Sequence, residues 1–471
     1  MSKLPTKWLV VISVLFGTFT VILNNSMLNP ILPHFIDIFN ADAVSVGWVL
    51  TIFMVAMGMT MPITGYLGDR FGKKKIYIVG LILFTIGSIV GAVSQTLSLV
   101  IIARAIQGIA GGLMLPNAMA LIFTAFPQNE RGLAVGIYGI AAMVAPAIGP
   151  TIGGLMTEFL QWQFLFLINI PFAVVGIFIS SKYLKPTKTK PNLKFDLVGF
   201  VLVTAGVGAI LYALGRGSTW ELLTQTSNIF LIIFGLIFIF IFVKYEWKQE
   251  QPLLDLSVFK VRTYRISIFI TASASIGLFS GLFLLPLLMQ EVYGYSLTET
   301  GLLFLPFAVC SGIFMTIGGK LLDLKGPKAV VPIGLGVMAV STILLGFLDI
   351  TSSYWYILFL NAVRGIGMGF GNMPATTAGM NAIPQHLVAQ GSAMNNVLRQ
   401  ITSSFGIVCF AIYYEVRRAQ VALASQIGPE EAALQAINEA FIVSGVILLI
   451  TVPGAFLLKG TKEQEGKTAS E

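Results

Sequence analysis

Long apolar runs separated by short basic loops set the pattern of this chain. Fourteen runs have the roughly 20 residues that cross a hydrocarbon core as a helix, or nearly so. They are 8–30, 45–66, 76–94, 97–122, 132–157, 163–183, 196–214, 228–245, 264–289, 300–321, 328–347, 353–377, 389–414 and 439–459. Backbone groups in lipid must be satisfied within the segment, so these runs predict helices. The ten-residue alternation of a membrane β-barrel is not visible. The pattern predicts an all-α integral membrane protein with 14 transmembrane helices.

The pattern also repeats. GYLGDRFGKKK (65–75) is echoed by GKLLDLKGPKA (319–329), which aligns Gly65 with Gly319, Asp69 with Asp323 and Gly72 with Gly326. Arg104 opens RAIQGIAGG, and Arg364 opens RGIGMGFG. FPQ (126–128) matches IPQ (383–385). These echoes predict two pseudo-symmetric six-helix bundles, 1–183 and 263–471. Between them lies a linker, 184–262, that carries two inserted helices. Duplicated halves around a midplane site are the arrangement of a secondary transporter.

Composition and charge narrow the picture. The 471 residues are 56% hydrophobic and 11% charged, against about 25% charged in a soluble domain. Mean hydropathy is +0.86. Of 29 Lys and Arg, only Arg216, Arg417 and Arg418 fall in predicted external segments, and Arg104, Arg364 and Arg399 fall within spans. The rest lie on one side, which predicts that both termini are cytoplasmic. The lysine-bearing N-terminus lacks a convincing small-residue cleavage site, so the first run reads as an uncleaved span. The net charge of +8 lies in short loops without aromatic interleaving, so no nucleic-acid partner is expected. Cys310 and Cys409 both fall inside spans and predict no disulfide. No P-loop, metal cluster or nucleophile–base pattern stands out. No catalytic residue, metal or cofactor is assigned.

The chain resembles the major facilitator superfamily, and within it the fourteen-helix drug:proton antiporter branch of bacterial multidrug exporters. The first-span signature of that branch, LDxxIVNVALP, stands here as LNNSMLNPILP (23–33). The loop signature stands as GYLGDRFGKKK. The antiporter signature stands as Gly136, Ala145 where the branch favours glycine, and GPTIGG (149–154). WQFLFLIN (162–169), PLLDLSVF (252–259) and NVLRQITSSFG (396–406) fit as well. The resemblance implies a multi-pass monomer of the bacterial cytoplasmic membrane. It implies export of small amphipathic substrates by alternating access, coupled to protons, with membrane lipids as surroundings.

Each motif has a physical reading and a plainer one. In the loop, Gly65, Gly68 and Gly72 permit close approach. Asp69, with Arg70 beside it and Asp323 as its repeat, reads as a cytoplasmic gate; the plainer reading is a tight basic turn. Gly149, Pro150, Gly153 and Gly154 predict a bent, closely packed helix that seals the two halves, or ordinary small-residue packing. A buried arginine costs ~2.5–3.5 kcal/mol at a span centre. Arg104 with Gln107, Arg364, and Arg399 with Asn396 and Gln400 therefore face a substrate cavity or fix helix packing.

Asn24 stands where the branch carries an aspartate, and asparagine does not titrate. Asn24 can still hydrogen-bond Arg104, and Asn24 and Asn25 are candidate cavity residues; Asn25 and Asn29 have the plainer reading of bonding adjacent helices. None of the 21 acids lies at the centre of a predicted span. Asp37, Glu158 and Glu291, near the outer ends, are the candidates for proton coupling. An interior with three arginines and no central acid raises a second possibility, an exporter of anionic amphiphiles such as fatty acids or lipids. A membrane-embedded protein without transport activity is a third.

Overall fold

A computed structural model describes residues 6–28, 31–41, 43–216, 219–425 and 428–459. Asn29 and the tail lysines Lys462 and Lys467 lie outside the described residues. The described chain is helical throughout, with no strand. In the first half run α1 (Thr6–Met27), α2 (Leu32–Phe39), α3 (Ala43–Leu67), α4 (Lys73–Ala92), α5 (Leu97–Ala125), α6 (Arg131–Phe159), α7 (Phe164–Leu167) and α8 (Asn169–Tyr183). The inserted segment holds α9 (Leu197–Arg216), α10 (Trp220–Thr224) and α11 (Thr226–Glu246). The second half holds α12 (Arg262–Leu287), α13 (Leu297–Leu302), α14 (Phe304–Lys325), α15 (Pro327–Leu344), α16 (Tyr354–Ala382), α17 (Val388–Ser425) and α18 (Pro429–Ala455).

Twelve helical stretches among the described residues are long and apolar enough to cross a membrane, fewer than the fourteen that the sequence pattern predicts. Two features separate the numbers. Ser45–Ala92 runs as a single stretch of 48 residues, because Gly68–Gly72 forms a π-turn that joins α3 to α4. The Gly- and Asn-bearing α16 is not among the twelve. A straight helix of 48 residues would be about 72 Å long. Gly72 interrupts it with a φ of 97°, which favours glycine.

The duplication has a definite register. Gly326, aligned with Gly72, also has a positive φ, of 80°. Helix α4 begins at Lys73 and α15 at Pro327, a spacing of 254 residues. Helices α5 and α16 are both 29 residues long and start 257 apart, as do α6 and α17. This corrects the sequence alignment of Arg104 with Arg364. In the helical register Arg104 corresponds to Asn361, and Gln107 to Arg364. The two halves carry the same arginine–amide pair in opposite order.

Packing follows the small residues. A Cβ on Gly108 of α5 would strike the Phe53 carbonyl of α3. One on Gly365 of α16 would strike the Phe307 carbonyl of α14 in the same manner. Lipid supplies no hydrophobic drive between helices, so such close approach is the main source of association. Helix α9 packs on α11 and on α3, which holds the inserted pair against the first half.

The two halves meet along α6 and α14, and where α17 crosses α3 and α5. Gly132 faces Gly319 backbone to backbone, and Gly136 faces the Met315 carbonyl. Leucine at Gly136 would force these helices apart, an overpacking cost of about 1–3 kcal/mol. Gly154, on the same helix, has open space where a Cβ would sit. Thermal unfolding in detergent should therefore show Gly136→Leu clearly destabilised and Gly154→Leu close to the parent protein. Equal midpoints for the two variants would contradict this packing.

Candidate functional site

A cavity lies where both halves converge. Helix α1 contributes Thr18 and Ile22, α5 contributes Leu115 and Met119, and α6 contributes Tyr138. From the second half come Met373 and Thr376 of α16, and Ser392, Asn395, Asn396 and Arg399 of α17. The α17 residues recur at helical spacing, so one stripe of that helix turns polar side chains inward. The other walls mix the apolar Ile22, Leu115, Met119 and Met373 with the hydroxyls of Thr18, Tyr138 and Thr376, and methionine is a flexible side chain that adapts to varied ligands.

Arg399 is the charged group of this lining, and no carboxylate shares it. Its Nη2 donates to Asn396 Oδ1 at 2.9 Å. The Tyr138 hydroxyl accepts from Thr18 Oγ1 at 3.1 Å, and Asn395 Oδ1 accepts from Thr271 Oγ1 at 3.2 Å. Tyr138, Thr18 and Thr376 were not among the sequence candidates. Tyr138 gave no periodic signal, because it is a lone polar position on an apolar stretch of α6, and Thr18 is one of several polar residues scattered along α1. Ser392 does lie four residues before Asn396, which is a readable stripe. Gln400 is partly buried beside Arg399 but is not among the lining residues.

Arg104 sits elsewhere. It is fully buried and bound by neutral partners. Its Nη1 donates to Asn24 Oδ1 at 2.8 Å and to Gln107 Oε1 at 3.1 Å. Its Nη2 donates to Asn25 Oδ1 at 2.8 Å, and its Nε to the Val49 carbonyl at 3.0 Å. The Phe53 ring covers the guanidinium at 4.0 Å. Arg364 is held alike. It donates to Thr342 Oγ1 at 3.1 Å, Asn361 Oδ1 at 3.0 Å and the Gly277 carbonyl at 2.9 Å. Both arginines tie helices within one half, and neither lines the cavity.

The loop motifs are divided between two tasks. Asp323 accepts from the Gly132 and Leu133 amides at 2.9 Å each. A carboxylate at the first turn of α6 is favoured by the free N–H groups and the helix dipole there. Asp69 makes no equivalent contact among the described residues. It pairs with Lys73 at 2.8 Å and with Lys190 of the linker at 3.8 Å. Arg70 donates to the Tyr66 hydroxyl and the Leu193 carbonyl instead. Gly65 lies against Gln390 of α17, and Gly68 against Asn117. Beside the Asp323 contact, Arg131 donates to Asn381 Oδ1 and to Gln385 Oε1, which adds to the join between halves at the lysine-rich end.

The glycine stripe of α6 divides as well. Gly149 and Gly153 fit against Ser26 and Met27 of α1, in the same half. Pro150 lies in the continuous α6. Contact with the opposite half falls to Gly132 and Gly136. Among the candidate acids, Asp37 and Glu158 are exposed. Glu291 pairs with Arg418 at 3.0 Å and accepts from the Tyr414 hydroxyl. None of the three lines the cavity.

Comparison with known proteins agrees with this architecture. Residues 14–407 match the model of the Major Facilitator Superfamily. The uncharacterized MFS-type transporter YcnB of Bacillus subtilis (strain 168) is 34% identical over 97% of this chain and 96% of its own. The lincomycin resistance protein LmrB of Listeria monocytogenes is 29% identical over 96% of this chain and 97% of its own. The solved structure of the human organic anion transporter MFSD10 superposes with a TM-score of 0.67 at 15% identity. It covers 94% of this chain and 100% of that one, a likeness of fold alone. With a family match across most of its length and a relative 34% identical end to end, this chain belongs to the Major Facilitator Superfamily.

Proposed function

We propose that this transporter is an exporter of amphipathic compounds that works by alternating access and draws on proton influx. Counting α3 and α4 separately and adding α16 gives fourteen spans. The lysine-rich end then faces the cytoplasm with both termini, in the bacterial inner membrane. The observation that carries the reading is the cavity built from both halves, with interhalf contacts closing the lysine-rich end. Two bodies that meet through glycine backbones and a carboxylate on a helix N-terminus can part there and close at the opposite end. The similarity to a lincomycin resistance protein supports drug-like cargo.

One feature favours a second reading of the cargo. The lining holds Arg399 and no acid. A cavity of that sign suits anionic or zwitterionic amphiphiles better than lipophilic cations. Transport of a cationic dye and of a fatty acid into reconstituted vesicles, at two pH values, separates the readings.

Arg399→Ala should lower transport of an anionic cargo about tenfold, the equivalent of 1.4 kcal/mol, while its membrane level stays near that of the parent. A fall in protein level alone would make Arg399 structural. Asn24→Asp puts a titratable group within reach of Arg104, so the pH dependence of transport should change. An unchanged profile would remove α1 from the proton path.

A further inference from the structure

The inserted helix pair carries a feature that the transport cycle above does not use. Asp196 immediately precedes α9, and Glu246 ends α11. Glu246 is 2% exposed, the lowest of any acid in the described residues. Its Oε1 accepts from the Leu254 amide at 2.7 Å. Asp196 Oδ1 accepts from the Gly199 amide at 2.9 Å and from the Tyr245 hydroxyl at 3.2 Å. The remaining oxygens, Asp196 Oδ2 and Glu246 Oε2, are sealed from solvent with no donor from any other group. They converge over the Cα of Gly199, where a Cβ would strike both.

Two ionised carboxylates cannot stay in that contact without a cation or a proton between them. No lysine fills the role. Lys194, Lys248 and Glu250 are exposed, and Lys244 lies over the Phe240 ring at 4.5 Å. Lys260 lies over Trp247, and Arg70 of the neighbouring loop is engaged by Tyr66 and Leu193. Asp255 of the following segment is turned to its own Ser257 amide. Neither carboxyl of the pair forms an ion pair among the described residues.

We infer that Asp196 and Glu246 form a proton-binding site, with one hydrogen shared between Oδ2 and Oε2. The helix ends decide which group keeps it. Asp196 caps the N-terminus of α9, where negative charge is stabilised. Glu246 sits at the C-terminus of α11, where negative charge is opposed. Glu246 is therefore the acid and Asp196 the carboxylate. The site also anchors the chain that follows it. Leu254 is held by Glu246, and the next amide, of Asp255, donates to Gln390 Oε1 at 2.9 Å. Gln390 belongs to α17 and lies against Gly65. Loss of the proton sets two negative groups against each other at the root of a segment that reaches the interhalf contact.

The geometry, rather than the cargo assigned above, carries this inference, and its test does not require transport. Infrared difference spectra of the purified protein at neutral pH should show a protonated carboxyl C=O band that Glu246→Gln lacks. Glutamine keeps a donor toward Asp196 Oδ2, so thermal stability of that variant should stay near the parent value, whereas Glu246→Ala should fall. An unchanged carboxyl band in Glu246→Gln would overturn the inference. So would stabilisation of the parent protein by sodium or calcium that this variant abolishes, because a metal cation would then occupy the pair.

Discussion

A guanidinium that leaves water must be met by oxygen lone pairs or an aromatic face, or the fold does not tolerate it. This chain meets that demand twice without a carboxylate. Arg104 gathers α1 through Asn24 and Asn25, α3 through Val49 and Phe53, and its own helix through Gln107. Arg364 gathers α12 through Gly277, α15 through Thr342 and α16 through Asn361. Each half is thereby pinned at its own centre. Two bodies organised internally in this way are free to move against each other as units, because the contacts that hold each one do not cross the seam.

The seam is built differently. It uses bare backbone at Gly132, Gly136 and Gly319, together with the carboxylate of Asp323 on the first turn of α6. Such contacts are close, and the Arg131 hydrogen bonds to Asn381 and Gln385 add to them. They exchange one good packing for another more readily than an interlocked set of large side chains does. The asymmetry of the repeats matters here. Asp323 holds α6 of the other half, while its counterpart Asp69 is kept by Lys73 and Lys190 on its own side. One repeat therefore uses its carboxylate to fasten the two halves together, and the other uses its carboxylate to fasten the linker to its own half while Gly65 meets α17.

Much of this was legible in the residues. Length and apolarity alone place the helices, and the echo of Asp69 in Asp323 and of Gly72 in Gly326 exposes the duplication. Arg399 and Asn396 stand out because polar groups at helical spacing are costly in lipid. Other features were hidden for physical reasons. The Arg104–Arg364 register slipped by one turn, since arginine and amide trade places between halves. Glu246 falls one residue past the predicted span 228–245 and drew no candidate role, because its burial depends on Asp196 and Leu254, which arrive from other parts of the chain.

The central claim is that rigid halves rock about the Arg399 cavity. Distances between spin labels test it most directly, in a background with Cys310 and Cys409 replaced. One labelled pair, at Glu130 and Lys325, spans the lysine-rich end, and a second, at Glu158 and Glu299, spans the opposite end. The account predicts two populations whose distances change in opposite senses, one end widening as the other narrows when pH or cargo is varied. A single unchanging distance at both ends under all conditions would contradict it.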